Sequence, residues 1–176
     1  MRSVLAALLL VSAVAHSQPV LMDRLVAIVD GRPIVRSAVL ERARPFLAKA
    51  TSAEQKKQLE ADALIGLVNE RLIANDADVL RVEVSTDELE SALAQVALSN
   101  RLTPEQLAAE VARQGFTMQA YRSMLRQQIL EMRWLLLRKA KGGVGPDSPQ
   151  YGDFLEAEKK RLLTELRARA TIEVVP

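Results

Sequence analysis

Three helix-start signals, each followed by apolar residues at helical spacing, constrain this chain more than any other feature. Ser52-Ala53-Glu54-Gln55, Ser85-Thr86-Asp87-Glu88 and Thr103-Pro104-Glu105-Gln106 each place a hydroxyl three residues before Glu or Gln. In that arrangement the hydroxyl accepts a first-turn N–H, and the carboxylate or amide reaches back to the cap. Behind the first signal, Leu59, Ala63, Ile65, Gly66, Leu67, Leu72, Ile73 and Ala77 predict a helix to about Val79 with a broad apolar surface. Behind the second come Leu89, Ala92, Leu93, Val96 and Ala97; behind the third, Leu107 and Val111 lead to a terminating Gly115. Thr117 caps a further helix from Met118 to about Ala140. Ser37 reads as the N-cap of an earlier helix to about Lys49, interrupted or kinked at Pro45. A last helix is expected over about Gly152–Arg169.

Strands are predicted only at the ends of this helical series. Arg24–Val29 is β-branched and apolar, Asp30-Gly31 is a strong hairpin turn, and Arg32–Arg36 is the return strand. Pro33 lacks an N–H and belongs at an edge. Thr171–Val175 reads as a lone terminal strand. Lone strands are rarely stable, so pairing with the N-terminal hairpin is the economical solution. The fold class is therefore mainly α: a multi-helix core with a small β element from the N-terminal hairpin and the C-terminal strand.

Composition excludes much chemistry. There is no Cys among the 176 residues, so no disulfide, thiolate nucleophile or Cys-ligated metal. His16 is the only histidine, which leaves neither a His-rich metal site nor a base to activate Ser. No phosphate-binding Gly loop is present, because Gly142-Gly143-Val144-Gly145 follows no strand. The expectation is no catalytic residue, no metal and no cofactor. A net charge of +2 is too balanced for a surface given over to nucleic acid, and 3% aromatics offers no base-stacking platform. Arg2, the apolar run Val4–Val14 and Ala13-Val14-Ala15 form the three parts of a secretory signal peptide. Cleavage is expected after residue 15, with Ser17 as a second site, and the product is exported without stable membrane insertion.

The order of these motifs resembles the SurA-type periplasmic chaperones. Arg24-Leu25-Val26-Ala27-Ile28-Val29-Asp30-Gly31-Arg32-Pro33-Ile34-Val35 is similar to that family's opening hairpin. Leu64–Ile73 is similar to a helix of that family, Val82–Leu89 to its connector and next helix start, Asn100–Leu107 and Gly115–Arg122 to the segments that follow, and Leu166–Val174 to its closing helix and strand. One departure is Leu80-Arg81, where the family usually has Gly; a left-handed cap is less favourable there, so a different helix end is expected. The other is an absence. The family commonly inserts parvulin-type prolyl isomerase domains before the last helix, and residues 142–149 stand in that place. Residues 142–176 are too few for a domain of about a hundred residues.

The resemblance implies a leader over 1–15, a SurA-like N-terminal chaperone domain over 16–141, a Gly/Pro linker over 142–149, and a helix and strand over 150–176 completing the same domain. It implies a periplasmic, ATP-independent holdase for unfolded outer-membrane or secreted proteins, without isomerase activity. The alternative is a structural or adaptor subunit with one dedicated envelope partner. A hairpin paired to a chain-terminal strand also leaves a strand-exchanged homodimer open.

The candidate client-binding surface lies on the 118–140 helix. Met118, Tyr121, Leu125, Ile129, Met132 and Leu136 form one stripe, while Leu130, Trp134 and Leu137 lie on another side. The pattern alone favours core packing for the stripe. If Leu155, Leu162 and Leu166 cover Trp134 only in part, the groove between the last two helices is the client site, with Met118, Tyr121, Met124, Leu125, Ile129, Met132, Trp134 and Leu137 lining it. Replacing Trp134 or Met132 by Ser should then weaken client binding more than folding. Arg122, Arg126 and Arg133 flank the stripe; a solvated face is the plainer reading, attraction for acidic clients or membrane surfaces the sharper one. Asp76, Asp78 and Glu83 lack the spacing of a calcium loop and read as solvated, and Glu70 and Arg71 as a surface or interhelix ion pair.

Overall fold

In a computed structural model, residues 23–139 and 144–175 are described. The leader expected over residues 1–15 lies outside them, as do residues 140–143. The elements are β1 (Leu25–Val29), β2 (Arg32–Val35), α1 (Arg36–Leu47), α2 (Ala53–Val79), α3 (Thr86–Ser99), α4 (Pro104–Arg113), α5 (Met118–Arg138), α6 (Tyr151–Arg169) and β3 (Ile172–Val174).

The sheet has the order β2-β1-β3, with both pairings antiparallel. Asp30 and Gly31 both take positive φ (49° and 77°), the backbone of a two-residue hairpin turn. Asp30 also does more than turn the chain. Its carboxylate accepts from Thr171 N (2.8 Å) and from Asn75 Nδ2 (3.2 Å), joining the turn to the approach of β3 and to α2. Pro33 lies on the edge strand, as expected.

Ser52, Ser85 and Thr103 cap their helices as the sequence predicts, each accepting the N–H three residues on. The boxes at Ser85 and Thr103 are reciprocal, whereas the Gln55 amide oxygen takes Thr51 N instead. Two expectations are corrected. Ser37 is not a cap. It sits inside α1, and its N–H and hydroxyl donate to the Asp23 carboxylate, so an acid from before β1 supplies the first-turn acceptor. The end of α2 needs no Gly: Arg81 itself takes φ 56°, with Val82 N bonding to Ala77 O at 2.9 Å. Arg101 (φ 58°) and Gly115 (φ 88°) end α3 and α4 in the same way.

Three apolar clusters form. Ala27, Val29, Ile34, Val39, Ala43, Ala63, Val68 and Leu72 join the sheet to α1 and α2. Ile73, Ala77, Val82, Trp134, Leu135 and Leu162 join α2, α5 and α6. Leu163 and Leu166 of α6 pack on both clusters and unite them into one body. The third cluster stands apart: Leu89, Leu93, Ala97, Leu107 and Val111 meet Met118, Tyr121, Leu125 and Ile129. So α3 and α4 form a helical hairpin packed on α5.

Candidate functional site

Helix α5 carries all eight residues expected to bind a client, and its sides meet different neighbours: α3 and α4 on one, α2 and α6 on another. At about 100° per residue, residues 118, 121, 125, 129, 132 and 136 stay on one side. The first four pack against α3 and α4, and the stripe then runs past that hairpin, leaving Met132 and Leu136 49% and 44% exposed. On the far side, Trp134 is fully buried, enclosed by α2 and α6. Ile73 and Ala77 of α2 and Leu162 of α6 share its cluster, with Leu155 and Leu166 packed against it. Trp134 is corrected from a client contact to a core residue. Leu137 is exposed near the C-terminal end of α5, and Met124 faces another side again. The eight residues expected to line one groove are thus divided among a helical-hairpin contact, the core, an exposed end and a separate groove.

That separate groove lies between α1, α2 and the first half of α5. Its volume is about 410 Å³, and Ala38, Leu67, Phe116, Ala120 and Met124 supply its apolar surface. A recess of about 270 Å³ beside β2 shares Ala38, Leu67, Glu70 and Gln127 with it, so the two form one trough reaching Pro33, Ile34 and Val35. Arg42 of α1 and Glu70 of α2 make an ion pair along it. Burial pushes the Arg42 guanidinium below its ordinary pKa. Gln127 Nε2 is buried beside the trough without a hydrogen-bond partner, which is uncommon for a native donor. Of the trough's lining, Met124 alone was named from sequence as a client contact. The signal that could have revealed it is small residues at facing positions: Ala38 on α1, with Ala120 and Ser123 on α5.

The charged candidates are also reassigned. Arg122 pairs with Glu90 (3.2 Å), Arg126 donates to Val84 O, and Arg133 binds Glu88 and donates to Glu83 O (2.7 Å). These arginines fasten α3 and the 80–85 connector to α5, so they are neither an idle solvated face nor a free basic patch. Arg133 holds the Glu88 carboxyl at about 2, helped by the Ser85 N–H. Asp76 is not solvated. Its carboxylate accepts from Trp134 Nε1 (2.7 Å) and Arg138 Nε (2.8 Å). Burial would raise its pKa, but the Arg138 and Trp134 hydrogen bonds and the charges of Arg138 and Arg169 outweigh that and hold it below the usual range. The interhelix reading holds for Glu70, which pairs with Arg42 of α1, while Arg71 donates to Pro33 O (3.2 Å). Among the described residues, no three His, Cys, Asp or Glu side chains converge as metal ligands, and no helix is long and apolar enough to cross a membrane. The trough offers apolar contact, the Arg42–Glu70 ion pair and the Gln127 amide.

Comparison with known proteins agrees with the class this architecture defines, a mainly helical module closed by an N-terminal hairpin paired with β3. The profile of the SurA N-terminal domain matches residues 22–134. The chain belongs to the SurA N-terminal domain family. It is 27% identical over 135 residues to the chaperone SurA of Pectobacterium atrosepticum, covering 73% of this chain and 31% of that protein. It is 30% identical to chaperone SurA of Vibrio cholerae, covering 72% and 30%. With chaperone SurA of Cupriavidus pinatubonensis identity is 36%, covering 64% and 23%. The chain therefore spans less than a third of the length of these relatives. A solved structure from a study of SurA-like chaperones of Campylobacter jejuni superposes with a TM-score of 0.46 and 16% identity, over 79% of this chain and 51% of that one.

Proposed function

We propose that this protein is an ATP-independent periplasmic holdase, binding unfolded outer-membrane or secreted polypeptides without catalysing prolyl isomerisation. The observation that carries the reading is the open trough of α1, α2 and α5, with Leu67, Phe116 and Met124 as apolar contacts and charged residues beside them. Burial of about 25 cal/mol per Å² over such a surface gives many weak contacts and exchangeable clients. Membership of the SurA N-terminal domain family supports it, as does the name chaperone borne by the relatives. Met132 and Leu137, exposed at the end of α5, extend the apolar surface available to a client. The leader over residues 1–15 would deliver the chain to the periplasm. The short passage from α5 to α6, residues 139–150, leaves no room there for an inserted isomerase domain.

The test is light scattering of an unfolded outer-membrane β-barrel protein, without ATP. Suppressed aggregation at near-stoichiometric amounts with several unrelated barrels is the expected result. A folded sample that suppresses none of them sinks the proposal and returns the reading to one dedicated partner.

A further inference from the structure

The third apolar cluster is built from α3, α4, α5 and their connectors, Leu102 and Phe116 included, and shares no residue with the two clusters of the body. A cavity of about 290 Å³ remains beneath the hairpin, lined by Leu93, Ala97, Leu107 and Met118, with Glu90 and Arg122 also at it. The hairpin joins the rest of the chain through two short passages, each holding a positive-φ residue, Arg81 before it and Gly115 after it. Its polar fasteners all come from α5: Arg122 to Glu90, Arg126 to Val84 O, and Arg133 to Glu88 and Glu83 O. At about 100° per residue the three arginines share one flank of the apolar stripe. The stripe does not stop where the hairpin stops, since Met132 and Leu136 continue it into solvent.

We propose that the α3–α4 hairpin is a removable lid on α5, and that the uncovered stripe takes a client segment with the chemistry of α3 itself. That chemistry is specific. Helix α3 offers Leu89, Leu93 and Ala97 at steps of four, with Glu88 and Glu90 meeting Arg133 and Arg122. The fitting segment is an amphipathic helix with apolar residues at i, i+4 and i+8 flanked by carboxylates, by charge complementarity to the arginine flank. In the closed state the hairpin occupies the site, so it acts as an internal competitor. Only the occupant's identity as a client rests on the holdase reading; lid opening does not.

Amide hydrogen exchange on the unmodified chain tests the lid. The amides of α3 and α4 are expected to exchange through an opening that leaves α2 and α6 protected. Exchange of all four helices together, only on global unfolding, overturns the lid. A fluorescent peptide with the sequence of residues 85–100 tests the occupant. It should bind the full chain carrying Glu88→Gln and Glu90→Gln about three- to ten-fold more tightly than the unmodified chain, because the resident lid is weakened while the arginines remain. Gln at position 88 keeps an acceptor for the Ser85 N–H, so the capping box survives. Loss of affinity when the peptide itself carries both Gln substitutions is the second expected result. Equal binding to both proteins, or none with an opening lid, overturns the occupant. The aggregation assay uses neither readout, so failure of the holdase and failure of the lid are told apart.

Discussion

At the scale of single residues, Trp134 and Met132 show how similar positions in a sequence acquire opposite duties. They lie two residues apart on α5 and therefore about 160° around it. Trp134 is fully buried with its indole N–H on Asp76, whereas Met132 is half exposed. Trp134→Ala should cost about 3–5 kcal/mol, as for other large core truncations, read from urea unfolding. Met132→Ser should stay within about 0.5 kcal/mol of the parent. Comparable losses from both would mean that Met132 is covered. Asp76 gives a pH prediction. Its carboxyl titrates lower in the folded chain than in the unfolded one, so the stability it contributes is present above its unfolded value of about 3.9. That stability is lost as pH falls through the lower, folded value. Asp76→Asn should therefore flatten the fall of the unfolding midpoint below about pH 4. At neutral pH the same variant should cost about 1–3 kcal/mol, because the Arg138 and Trp134 donors lose a charged acceptor.

At the scale of elements, the starts of helices were legible and their ends and outer faces less so. Ser85, Thr103 and Thr117 cap as read, since an N-cap hydroxyl and its target amide are three residues apart and depend on nothing distant. Ser37 misled because its partner, Asp23, is brought to it by the hairpin. Asp76 misled for the same reason, its two donors arriving from α5. The end of α2 was expected to change without Gly. The backbone instead places Arg81 in the left-handed region, and Arg101 likewise ends α3. An L side chain there costs roughly 1–2 kcal/mol relative to Gly. Part of that returns as unfolded-state entropy when Gly replaces it, so Arg81→Gly and Arg101→Gly should each raise stability by about 0.5–1 kcal/mol. Thermal melts at neutral pH read this directly. A lower melting temperature would show that the arginine side chains contribute more than their backbone strain removes.

At the scale of the whole molecule, the N-terminal hairpin and β3 close one body while a separate helical hairpin leans on one of its walls, α5. Closure was legible, because a lone terminal strand had only the N-terminal hairpin to pair with. The trough was not, because it depends on which small residues of α1 and α5 end up facing one another, and no periodicity within one helix records that. Its use can be tested with a substitution that spares the body. Met124 is only partly buried and belongs to none of the three apolar clusters. It faces the trough with Leu67 and Phe116. A carboxylate at that position needs no buried space but makes apolar clients pay desolvation when they dock. Met124→Glu should thus leave the unfolding midpoint within about 0.5 kcal/mol of the parent. In the same sample the amount of protein needed to suppress barrel aggregation should rise several-fold. Leu98→Glu is the matched control, a large exposed apolar residue on α3 that lines neither the trough nor the third cluster. If both variants suppress aggregation equally well, clients do not use the trough. If Met124→Glu alone fails while remaining folded, the surface between α1, α2 and α5 is where polypeptide is held.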